Sequence, residues 1–168
     1  MQKKVLSEIA LYYGDITMPK GFEIDRTKLQ SDILKDHIYN LKDFPFSRTW
    51  DMLNTYLREH IQVEYNFCVI NKQTGANMYK PQEKTIPLLN INPVDLRTSP
   101  DFTCLYGVNV KDCMVRFHYE SNRRAGRHWD IPLENNKFIM FPSTCMYYLT
   151  NTQKESLNSV LTITYEYL

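Results

Sequence analysis

Two short strings in the last third of the chain combine residues that can hold a metal, His118-Tyr119-Glu120 and His128-Trp129-Asp130. On a strand, residues two apart share a face, so each string would present an imidazole and a carboxylate together. Two imidazoles with carboxylate oxygens form a donor set for zinc or non-haem iron. If the two strands pair across the intervening "SNRRAGR", His118 and His128 come close. That loop also gathers Arg123, Arg124 and Arg127 beside Trp129, guanidiniums and an indole suited to a phosphate or an acidic protein surface. The ordinary alternative for both features is a solvent-facing hairpin with a solvated tip, since a His-x-Asp string is frequent by chance.

Other reactive residues offer less. Cys68, Cys104, Cys113 and Cys145 form no CxxC pair, and most fall in apolar segments, which predicts reduced, buried thiols and a cytoplasmic setting. His37 and His60 fall singly on predicted helices, where surface or capping roles are usual. No P-loop, Gly-x-Ser-x-Gly or dinucleotide fingerprint occurs, which removes support for nucleotide-binding and serine-hydrolase classes. Twenty basic against 19 acidic side chains give a net charge of +1, which argues against nucleic acid as the main partner. No signal peptide is expected at the N-terminus, and no apolar run approaches the ~20 residues of a membrane helix.

The elements that must position these residues are legible in outline. "VLSEIALYY" (5–13) predicts a strand ending in a Gly14-Asp15 turn. Thr27 to Gln30 has the form of a capping box, followed by an apolar stripe through Leu29, Ile33, Leu34, Ile38 and Leu41. Ser47 can cap a second helix with Trp50, Leu53, Leu57 and Ile61 on one face. "NFCVIN" predicts a strand and "NKQTGANMYKPQEK" a loop. From Thr85 onward the helical period vanishes and seven short β-like runs follow, with hairpin turns expected at 110–113 and 134–137. Period-two alternation puts Cys113, Val115, Phe117 and Tyr119 on one face and Met114, Arg116, His118 and Glu120 on the other. In the last strand Leu161, Ile163, Tyr165 and Tyr167 alternate with Val160, Thr162, Thr164 and Glu166, predicting one core face and one face toward solvent or a partner. The predicted fold is mainly β (α+β): a jelly roll in a single domain over 1–168, with two helices within 1–65 packed on one sheet and a β-rich core over 66–168.

The runs "CLYGVNV" (104–110), "KFIMFPS" (137–143) and "LTITYEY" (161–167) carry a resemblance. From about Leu89 to Tyr167 the chain resembles the double-stranded β-helix of the iron(II)/2-oxoglutarate dioxygenases, especially the short forms encoded by phages. That resemblance implies a His-x-Asp or His-x-Glu before "CLYGVNV", a second histidine after the Phe-Pro-Ser turn, and a basic clamp for 2-oxoglutarate on the last strand. Residues 89–102 contain no histidine, Tyr147 stands near the distal position and Val160 near the clamp; Lys154 and Arg97 do not fit the register.

These departures, with 12 tyrosines, lead to the expectation of a non-catalytic jelly roll without a cofactor. It would be a component of a phage virion or its assembly apparatus, in the host cytoplasm during synthesis and then in the particle. It would join other subunits in a homo- or hetero-oligomer through Arg123, Arg124, Arg127, Trp129, Tyr147 and Tyr148. The alternative is an iron(II)/2-oxoglutarate oxygenase with atypical ligands, His118, Glu120, His128 and Asp130, with Arg116 or Arg127 on the carboxylate. A third reading is a cupin-like binder of a sugar or other small ligand.

Overall fold

A computed structural model describes residues 9–122 and 125–168, without the side chains of 120–122 and 125. The elements run β1 (Tyr12–Asp15), α1 (Arg26–Tyr39), α2 (Arg48–Tyr65), β2 (Val69–Tyr79), β3 (Phe102–Asn109), β4 (Cys113–Asn122), β5 (Ala125–Leu133), β6 (Lys137–Pro142), β7 (Tyr147–Asn151) and β8 (Asn158–Tyr167). Two antiparallel sheets result, one of five strands in the order β1-β6-β3-β8-β2 and one of three in the order β5-β4-β7. The segment 83–90 runs beside β7 through isolated bridges Lys84↔Thr150 and Leu88↔Tyr147. The predicted jelly roll with two bracing helices is the fold observed.

Both helices form for the reasons their sequences give. Ser47 Oγ accepts from Trp50 N at 3.2 Å and starts α2, and Leu53, Leu57 and Ile61 are buried along one stripe. Burial of each such side chain contributes about 1.5–3 kcal/mol. For α1 the cap is Asp25, two residues before the expected Thr27, and its Oδ1 accepts from Lys28 N at 2.9 Å. A carboxylate is also favoured there by the positive end of the helix dipole. Leu29 and Ile33 are buried, whereas Leu34, Ile38 and Leu41 are exposed, so only the first half of the expected stripe meets the sheet.

The core has two layers. Leu29, Ile33, Leu53 and Leu57 pack on Cys104, Tyr106, Leu161, Ile163 and Tyr165, on the helix side of the large sheet. Leu105, Val115, Ile131, Phe141, Leu149 and Val160 fill the space between the sheets. β3 and β8 are therefore covered on both faces. On the other face of β8 Val160 is buried between the sheets while Thr162 and Thr164 are half-buried, where one face toward solvent or a partner was expected.

Several expectations are corrected by pairing. Gly14 and Asp15 are strand residues, opposite Phe138 and Lys137 of β6. The expected loop after Ile70 is strand as far as Tyr79, because β8 supplies hydrogen-bonding partners along its whole length, from Val69↔Tyr167 to Tyr79↔Asn158. Segments 110–113 and 134–137 are not hairpin turns. They are arches that carry the chain from one sheet to the other, with Asp112 and Asn136 at positive φ of 50° and 64°. The second arch presses on the first strand of the pair, since a Cβ on Gly107 would lie 2.1 Å from the Glu134 carbonyl oxygen. All four cysteines are free. Cys104 and Cys113 are buried as expected, Cys145 is half-buried, and Cys68 is exposed because it lies just before β2 begins. No helix among the described residues is long and apolar enough to cross a membrane.

Candidate functional site

The sheets part between the β2 edge of the large sheet and the 83–90 segment, leaving an open cleft of about 600 Å³. β2 contributes Gln73, Gly75 and Asn77, β8 contributes Thr162 and Thr164, and Tyr147 and Asn90 stand at the inner end. The period-two alternation of β8 aims Thr162 and Thr164 here while Ile163 and Tyr165 face the helices.

A run of hydrogen bonds crosses the inner end. Asn77 Nδ2 donates to Thr162 Oγ1 at 2.8 Å. Asn90 Nδ2 donates to Tyr147 Oη at 3.1 Å and to Thr103 Oγ1 at 3.2 Å. Thr103 Oγ1 lies 2.8 Å from Ser143 Oγ, both fully buried. Burial raises the Tyr147 phenol above the ordinary tyrosine value, with the hydrogen bond from Asn90 opposing part of that rise. The phenol is thus held as a neutral hydroxyl. Two charged residues on the rim have other partners: Glu83 Oε2 accepts from Lys80 N at 2.6 Å, and Lys84 Nζ lies 5.9 Å from the Tyr148 ring centroid.

The residues singled out from sequence divide between two places. Tyr147 is 3% exposed and belongs to the cleft, so it does not present a surface to a partner subunit. Tyr148 faces the other way, opposite Arg116 on β4 and 4.9 Å from the His118 ring. His118 and His128 are directly opposed across the β4–β5 ladder with ring centroids 6.2 Å apart, on the outer face of the small sheet. Asp130 is engaged by Arg116, Nε to Oδ1 and Nη2 to Oδ2 both at 2.7 Å, and this guanidinium holds its carboxyl below the usual range. The strands pair as anticipated and the histidines are neighbours, but on an open surface outside the cleft. No group of three metal-ligating side chains occurs among the described residues. Arg127 is exposed on β5. Trp129 is 47% exposed, edge-on to Tyr13 at 5.8 Å. Arg123, Arg124 and the Glu120 side chain lie outside the described residues.

Asn77, Asn90, Thr162 and Gln73 were not anticipated as site residues. They are neutral, scattered over ninety positions, and carry no motif. The available signal was the alternation of polar Thr162 and Thr164 with apolar Leu161, Ile163 and Tyr165 on the last strand. His60 packs between Tyr56 and Phe138 and has no place in the cleft.

No protein-family model matches the chain, and no curated protein does. Solved structures do match. A prolyl-4-hydroxylase from Pseudomonas putida superposes with a TM-score of 0.65 at 12% identity, over 93% of this chain and 85% of its own. The α-ketoglutarate-dependent carbocyclase SnoK of nogalamycin biosynthesis gives 0.66 at 6% identity, over 94% and 79%. A prolyl hydroxylase from Trichoplax adhaerens gives 0.55 at 13% identity, over 92% and 83%. These neighbours correct the expectation of a non-catalytic structural component without a cofactor. By their descriptions all three are enzymes, two prolyl hydroxylases and one α-ketoglutarate-dependent carbocyclase, and none is a structural component. Over more than nine-tenths of its length, this chain has the jelly-roll fold of the 2-oxoglutarate/iron(II) oxygenases.

Proposed function

We propose that this chain is an atypical protein of the 2-oxoglutarate/iron(II) oxygenase class that handles a small molecule in the cleft between β2, β8 and residues 83–90. One observation carries the reading. The oxygenase jelly roll extends over nearly the whole chain, and its sheets open at the place where the sequence resemblance sets the early and distal ligand positions. The 83–90 segment ends at Asn90, β7 begins at Tyr147, and the two side chains meet. Positions far apart in sequence thus converge as they would around a reaction centre.

The donor set is the atypical part. Asn90 is a carboxamide, and Tyr147 is a phenol kept protonated by burial. The two are bonded to each other, and Val160, near the clamp position, is a buried core residue. These side chains do not fit iron as two imidazoles and a carboxylate would, and no step through a metal follows from them. What they do is orient. Thr162 and Asn77 fix one another on the strand pair, and Asn90 anchors the segment that walls the cleft by bonding Tyr147 of β7 and Thr103 of β3.

Anaerobic addition of iron(II) and 2-oxoglutarate to the purified chain tests the class. Because Asn90 and Tyr147 do not suit iron, the expected result is uptake through other donors: bound iron by elemental analysis and a visible charge-transfer band, both unchanged in Tyr147→Phe. A chain that takes up neither iron nor 2-oxoglutarate overturns the proposal.

A further inference from the structure

We infer that the cleft takes a neutral, polyhydroxylated ligand, a saccharide or sugar-like compound, in preference to a carboxylate or a phosphate. The inference names the substrate class of the cleft proposed above and rests on that cleft being the working site.

The first ground is the chemistry of the lining. The strand face that floors the cleft offers carboxamides, Gln73 and Asn77, and hydroxyls, Thr162 and Thr164. Each carboxamide has both donor and acceptor ends, and each hydroxyl can do either. A row of such groups matches vicinal hydroxyls, which also donate and accept. Among the described residues no donor reaches Oδ1 of Asn77 or of Asn90, which leaves two acceptors for ligand hydroxyls.

The second ground is charge. A carboxylate or phosphate taken from water needs a cation or several charge-assisted donors to offset its lost hydration. The one basic residue lining the cleft among the described residues, Lys84, lies over the Tyr148 ring on the far side of β7, and the acidic Glu83 accepts from the Lys80 backbone. Neither sign of charge is aimed at the floor.

The third ground is shape. Gly75 lies between Gln73 and Asn77, and a Cβ there would meet only the Thr162 carbonyl oxygen, at 3.9 Å. The missing side chain leaves open the middle of the polar row. Ile86, 78% exposed, and Leu88 form an apolar lip opposite, against which the C–H face of a sugar ring can lie. An apolar wall facing convergent polar groups is the usual build of a small-molecule site.

The test uses the full chain without added metal and a fixed panel of probes: glucose, N-acetylglucosamine, maltose and cellobiose, against 2-oxoglutarate, succinate and inorganic phosphate. Saturation-transfer NMR, with phosphorus NMR line broadening for phosphate, should show at least one saccharide bound and the anions unbound. Gly75→Leu fills the floor without backbone strain and should weaken that saccharide about tenfold or more, with its thermal midpoint unchanged. Asn77→Asp, which adds charge but little volume, should weaken it as well. Anions binding in place of saccharides, no saccharide binding, or saccharide binding that ignores both variants overturns the inference. The outcome is independent of the iron titration: iron uptake without saccharide binding sinks this inference alone, and saccharide binding without iron or 2-oxoglutarate uptake sinks the oxygenase reading alone.

Discussion

Asn90 and Tyr147, 57 residues apart in sequence, are joined by a hydrogen bond of 3.1 Å at the inner end of the cleft. The bond closes the wall formed by 83–90 onto β7. Tyr147→Phe keeps the ring in the core and deletes only the hydroxyl, so Asn90 loses a partner. Chemical denaturation should show a loss of about 1–3 kcal/mol with an unchanged m-value. A variant as stable as the parent would mean that water replaces the phenol without cost.

The buried hydroxyl pair Thr103–Ser143 lends itself to a double-mutant cycle. Thr103→Val strands the Ser143 hydroxyl and removes one acceptor of Asn90, so it should cost about 1–3 kcal/mol. Adding Ser143→Ala should recover part of that loss, because no orphaned hydroxyl then remains. Simple additivity of the two losses would show that the hydroxyls are not coupled.

Gly107 and Gly126 should respond in opposite ways to alanine. At Gly107 the new Cβ would meet the Glu134 carbonyl carbon and oxygen, and backbone cannot step aside as a flexible side chain can. Overpacking of this kind typically costs about 1–3 kcal/mol, and the loss should show as a lower thermal midpoint. At Gly126 nothing lies within 4 Å, and the change should stay within about 0.5 kcal/mol. Equal effects at the two sites would contradict the close approach of the 134–137 arch to β3.

Alkaline pH should unfold the chain through its interior phenols. Burial is the largest cause raising Tyr79, Tyr147 and Tyr165 above the ordinary value. In the unfolded chain these groups titrate near pH ~10. The folded state holds their protons more tightly, so the stability they contribute is intact below that pH and is lost as pH rises toward the folded values. Tyrosinate absorbance should show exposed phenols ionising first and the buried group ionising together with loss of circular dichroism. A single titration near pH ~10 with the fold intact would refute this.

What could be read in the sequence was whatever is encoded locally. Ser47 and the Leu53-Leu57-Ile61 stripe specify α2 without help, and the alternation Cys113-Val115-Phe117 assigns the faces of β4. The Phe-Pro-Ser turn and the last strand were enough to suggest the jelly roll. β2 escaped because Asn71-Lys72-Gln73-Thr74-Gly75 is polar and has little strand propensity. It is extended because β8 pairs with it from a distance of about ninety residues. The abundance of tyrosine suggested contact surfaces, yet Tyr79, Tyr106, Tyr147 and Tyr165 are core residues whose hydroxyls mostly find internal partners, as Tyr165 does with Asn54 at 3.1 Å. The histidine strings drew attention because their chemistry is local. The cleft went unseen because its members, Asn77, Asn90, Tyr147 and Thr162, become neighbours only when three separate strands and a loop are brought together.

The place of β8 has a consequence for how the chain comes into being. It lies between β3 and β2, so the five-stranded sheet stays in two pieces until residues 158–167 have been synthesised. β2 emerges early and must wait, unpaired, for a partner made some ninety positions later. Closing so long a loop is slow, and a bare strand edge invites association with other chains in the interval. Ribosome-bound chains halted before residue 158 should therefore be protease-sensitive and dependent on chaperones, and release of the final strand should lock the fold in one step.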